Sequence, residues 1–122
     1  MLNRQYLPPY LALLFVLFQA CASNDLDETP TVTCDGQTAS FVNHIQPIVA
    51  ANCAISGCHN GDLGEDRNWT IPGNLKDNAA EARRRVLLPL SHADHMPQGT
   101  TLADADINRI ICWVDQGAPI DN

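Results

Sequence analysis

Apolar positions recur at helical spacing in two stretches of the chain, and a third stretch is rich in helix-forming residues. In FVNHIQPIVAANC, Phe41 to Cys53, the residues Ile45, Ile48 and Val49 follow one another at three- and four-residue steps, which predicts a helix with one apolar face. Ser40 stands where a cap would, and Pro47 is tolerated early in a helix. The stretch DNAAEARRRVLL predicts a second helix, with Asp77 as N-cap and Pro89 as stop. The third, ADADINRIICWVDQG, carries Ile107, Ile110, Ile111 and Val114 as one stripe. Acids crowd its first turn, and Gly117 and Pro119 close it. Between the first two lies HNGDLGEDRNWTIPGNLK, dense in Gly, Asn and Asp, which predicts a long loop. No strand pattern and no repeat competes, so the expected class is all-α.

One apolar run has no helical period. YLALLFVLF, Tyr10 to Phe18, is too short to span a bilayer comfortably and suits the centre of a secretory signal. Arg4 precedes it and Ala20-Cys21 follows. The arrangement resembles a bacterial lipoprotein signal, with residues 1–20 removed and Cys21 lipidated; an ordinary signal cut near Ala22 or an uncleaved anchor are the alternatives. The acidic, aperiodic residues 21–33 read as a flexible tether. The folded domain is then residues 34–122, exported and facing the periplasm or held at the outer membrane. A domain this small buries a modest share of its surface and needs a staple: disulfide, metal or cofactor.

The formal charge of −7 becomes −8 once Arg4 leaves with the signal, six basic against fourteen acidic side chains. Phosphate binding needs a basic face, so nucleic acid is excluded as partner.

Of five cysteines, Cys21 belongs to the signal, leaving Cys34, Cys53, Cys58 and Cys112. Four thiols in an oxidising compartment suit two disulfides. That scaffold gives no reason for His59 directly behind Cys58. Cys-x4-Cys-His is a looser form of the c-type haem attachment signature, in which two thiols add to the porphyrin vinyls and the imidazole reaches the iron. Zinc is the competing metal, although it wants a fourth ligand and reduced thiolates. Met96, in HADHMPQG, is the only methionine after Met1 and offers a soft thioether as sixth iron ligand. His95 beside it would instead give a bis-histidine iron, and His92 and His44 are further imidazoles.

Together, an apolar first helix ending in Cys-x4-Cys-His, the loop IPGNL, a Met-Pro loop and a last helix running into ICWVDQGAPIDN resemble a small monohaem class I c-type cytochrome of the bacterial exported kind. The resemblance spans about Phe41 to Ile120. It implies a small cytochrome c-like fold of three or more helices, with the N- and C-terminal helices packed together around one covalent haem c. By position it makes Cys53 and Cys58 the thioether links, His59 the proximal ligand and Met96 the distal one. It also implies a Pro72 carbonyl bonded to the proximal histidine and Trp113 packed against the first helix. Trp69 would line the haem pocket, and an arginine of the 83–85 run, Arg84, would meet the propionates. With two thiols taken by haem, Cys34 and Cys112 are expected to form one disulfide.

The function so implied is single-electron transfer between redox proteins at the cell envelope. It is not an enzyme, because a six-coordinate iron leaves no open position. No triad spacing or phosphate-binding glycine motif competes. The alternatives are a disulfide- or zinc-stabilised lipoprotein module that binds a partner without redox work, and a haem sensor in which Met96 dissociates.

Overall fold

The computed structural model describes residues 32–36 and 38–120. The expected signal, Cys21 and nearly all of the tether lie outside the described residues.

Ser40 caps the first helical segment, its hydroxyl accepting the Asn43 N–H at 3.2 Å. The chain then makes a wide π-helical turn, Phe41–Ile45, before α1, Gln46–Asn52. The widening sits just ahead of Pro47, which has no N–H to donate and whose ring crowds the carbonyl four residues back. Hence Ile45 and Gln46 reach five residues back, to Ser40 and Phe41.

A single 3₁₀ turn, Glu65–Arg67, interrupts the polar loop. Where a loop was expected, PGNLKD forms a short helix, α2, Pro72–Asp77. Pro72 occupies its first turn, where a missing N–H costs nothing and the fixed φ favours a helix. Asp77 is therefore the last residue of α2 and not the cap of the next helix. That boundary is Asn78, whose φ of −103° and ψ of 8° kink the chain into α3, Ala79–Val86. The last helix, α4, Asp104–Asp115, places Asp104 and Asp106 in its first turn, complementing the helix dipole. Among the described residues every regular element is helical, and the class is all-α.

The core joins both ends of the chain. Phe41, Ile45, Ile48 and Val49 meet Ile107, Ile110, Ile111 and Trp113, with Leu75, Ala79 and Val86 from α2 and α3. α4 packs on the π-helical turn and on α3. Phe41 and Trp113 stand with ring centroids 6.0 Å apart, and the Trp113 indole donates to the Pro119 carbonyl at 2.7 Å. Cys34 and Cys112 are joined by a disulfide, with Cα atoms 5.3 Å apart, tying the start of the domain to α4. Cys53 and Cys58 are free thiols.

Candidate functional site

α1 delivers Cys53 to its C-terminal end, where the Cys53 and Ala54 amides both donate to the Val49 carbonyl. The four residues that follow turn the chain back on itself. Cys58 N–H donates to Ile55 O at 3.0 Å, and His59 N–H donates to Cys53 O at 3.0 Å. The turn depends on Gly57, whose φ of +77° lies in the left-handed region that L side chains rarely adopt. So the wide spacing closes into one loop that carries both thiols and the imidazole.

The two thiols differ. Cys53 is pushed up to about 11, first by burial and then by the neighbouring Cys58. Cys58 is exposed.

His59 is held from two sides. Its Nδ1 lies 3.2 Å from the Arg67 carbonyl, and its ring stacks on Trp69 with centroids 3.7 Å apart and planes at 14°. A carbonyl only accepts, so Nδ1 carries the proton and Nε2 of the neutral ring keeps its lone pair. Burial pushes the imidazole below its ordinary value. The Arg67 carbonyl bond opposes this, and the charges of Arg67 and Arg85 add to it. The result is a neutral imidazole with a donor nitrogen that has no hydrogen-bond partner among the described residues. That is the state a metal ligand requires.

The carbonyl expected to hold His59 was that of Pro72. The structure uses Arg67, in the 3₁₀ turn, while Pro72 opens α2. Asn74 secures that turn by donating to Glu65 O at 2.6 Å and Asn68 O at 3.1 Å. Neither Arg67 nor Asn74 carries a sequence signal for these roles, because the partner of one is a backbone atom and the bonds of the other depend on how the loop folds.

The loop after α3 carries Met96. Met96 N–H donates to Arg85 O at 3.2 Å, and the Arg85 charge acts on His59. Met96 itself is half-buried.

The arginine run is divided. Arg84 forms a two-pronged bond to Glu81, both contacts 2.8 Å, and reaches Asp94 at 3.6 Å. This occupies the guanidinium expected to meet propionates. Arg83 lies 3.7 Å from Asp115 across the α3–α4 contact. Arg85 donates from Nε to Glu81 at 2.7 Å and is the member of the run whose charge reaches His59.

The other histidines have local duties. Nδ1 of His44 accepts the Ser40 N–H at 3.0 Å and Nδ1 of His92 accepts the Asp94 N–H at 3.0 Å. His95 is buried, with both ring nitrogens against backbone carbonyls. A cavity of about 340 Å³ lies elsewhere, lined by Gly36, Thr38, Ala39, His44 and Arg109, and shares no residue with the cysteine–histidine loop.

Among the described residues, no three His, Cys, Asp or Glu side chains are grouped to hold a metal ion. Compared with known protein families, curated proteins and solved structures, the chain matches none.

Proposed function

We propose that the protein is an exported monohaem c-type cytochrome that carries single electrons between redox proteins at the cell envelope, tethered by a lipid on Cys21. The observation that carries this reading is the division of the cysteines. Cys34 and Cys112 close a disulfide, while Cys53 and Cys58 stay free in a loop that ends in His59, with Nε2 available.

A second observation supports it. Five large apolar side chains are exposed among the described residues, and four of them, Ile55, Leu63, Ile71 and Leu90, fall between Cys53 and Met96. An apolar macrocycle attached at Cys53 and Cys58 is the kind of group that would cover such residues.

A bound haem supplies one-electron chemistry at its iron. The chain's own residues supply the rest. Cys53 and Cys58 hold the group covalently, which suits a domain too small to retain it by packing alone. Through Nδ1–H to the Arg67 carbonyl, His59 fixes its ring orientation and gains donor strength at Nε2. Trp69 covers one face of that ring and shields it from water. Arg67 and Arg85 keep positive charge near the site, favouring a neutral ligand and electrostatically suited to anionic propionates. Met96 offers a thioether that favours the reduced metal and raises the potential. His59 and Met96 would be the residues that hold the iron, and a group held from both sides would have little to reorganise on electron transfer.

The test is an intact mass and an alkaline pyridine absorption spectrum of the full chain made in a bacterial periplasm with a haem-attachment system. One covalently added haem, lost in His59→Ala, is the expected result. No added mass, with Cys53 and Cys58 recovered as a disulfide, would overturn the reading.

A further inference from the structure

His95 is the one polar or charged side chain among the described residues that is fully buried, at 3% exposure. Its Nδ1 lies 2.6 Å from Leu88 O and its Nε2 lies 2.9 Å from Thr100 O. Leu88 stands just after α3 and Thr100 just before α4. One ring therefore bridges both ends of the connection that contains Met96. The backbone adds a third tie, His95 N–H to His92 O at 3.0 Å.

Each ring nitrogen faces a backbone carbonyl, so neither is turned toward an open space where a metal could sit. We infer that His95 is a positioning residue that acts through the Leu88–Thr100 loop to hold Met96 as the distal ligand. The inference rests on the haem reading above. Without the ring, whichever of Leu88 O and Thr100 O accepts its N–H loses a buried partner, and the Met96 loop keeps only backbone ties such as Met96 N–H to Arg85 O. A looser loop raises the fraction of molecules in which the thioether has left the iron. An external ligand that binds only that fraction then gains apparent affinity in proportion.

The experiment is a carbon monoxide titration of the reduced, haem-loaded full chain as wild type, His95→Ala and Met96→Ala, followed by absorption. Loss of one such bond corresponds to about a tenfold rise in apparent affinity, so His95→Ala should bind carbon monoxide at least that much more tightly than wild type. Met96→Ala should bind it more tightly still. An unchanged His95→Ala beside an opened Met96→Ala would overturn the positioning role and leave the haem reading standing. Opening in His95→Ala with none in Met96→Ala would make the ring itself the ligand and overturn the role of both. Absence of haem from wild type would remove the underlying reading and this inference with it. Should His95→Ala not fold, His95→Leu, which fills the space without a donor, decides the matter: a higher affinity than wild type supports the role and a wild-type affinity overturns it.

Discussion

Asp62 braces the turn between the two free cysteines with one carboxylate oxygen. Its Oδ2 accepts from Gly57 N–H at 3.0 Å, Asn60 Nδ2 at 2.8 Å and the Ser56 hydroxyl at 3.2 Å. These donors hold the carboxyl below its usual value of 3.8, the Gly57 amide most of all. A lowered folded value means that the brace is present above the ordinary Asp range and is lost as pH falls through the folded value. The Gly57 amide should thus keep its hydrogen-exchange protection at pH 5 and lose it only below about pH 4. Asp62→Ala should speed that exchange severalfold at neutral pH; unchanged exchange would mean that the loop holds without the carboxylate. Glu81 follows the same sign further down. Arg84 and Arg85 hold it at about 2, against 4.5, so its clamp on α3 should survive until pH approaches that value, seen as a constant Glu81 carboxyl shift in a carbon-13 NMR titration down to about pH 3.

At the level of elements, α4 is the helix that buries the most side chains among the described residues. Of its predicted stripe, Ile107, Ile110 and Ile111 are buried and Val114 is half-buried, and Cys112 and Trp113 widen the buried face. Trp113→Ala removes a side chain that is 1% exposed, its contact with Phe41 and its bond to Pro119. The expected cost is about 3–5 kcal/mol, measurable as a lower urea midpoint with little change in slope. At the α2–α3 junction, the Asn78 side chain donates to Asn74 O at 2.8 Å. Asn78→Ala should cost about 1 kcal/mol, and no loss of stability would show the kink to be held by packing instead. The helices were unequally legible. α4 could be read because its period is long and unbroken. α2 could not, since Pro72-Gly73-Asn74 reads as a turn until a helix is seen to begin at its proline. The π-helical turn was equally hidden, for it answers to Pro47 through backbone bonds and not through any apolar pattern.

For the whole molecule, the Cys34–Cys112 disulfide is the main constraint outside the core. The two cysteines are 78 residues apart in sequence. By loop entropy such a closure stabilises the fold by about 4 kcal/mol. Cys34→Ala should lower stability by an amount of that order in urea unfolding, and reductant should do the same to wild type while leaving the variant unmoved. A loss well under about 1 kcal/mol would mean that the unfolded chain is already compact at this point. The same bridge, with α4 on the π-helical turn, brings the two ends of the domain together and leaves residues 53–96 to wrap the other part. Among the described residues no helix is long and apolar enough to cross a membrane.

What the sequence determined by itself was local. Cys53, Cys58 and His59 are close because they are neighbours along the chain, and a left-handed Gly57 is enough to fold them into one loop. The helical class and the apolar stripe of α4 came from spacing alone, because a period of 3.6 acts within a few turns. Tertiary structure decided which carbonyl meets His59, which arginine acts on it and what the buried His95 ring does. Those choices set Arg67 against Pro72 at the His59 ring and turn both His95 nitrogens to backbone carbonyls. They depend on bonds between backbone atoms and side chains far apart in sequence. Every residue carries the same carbonyl, so its partner is chosen only when the chain packs.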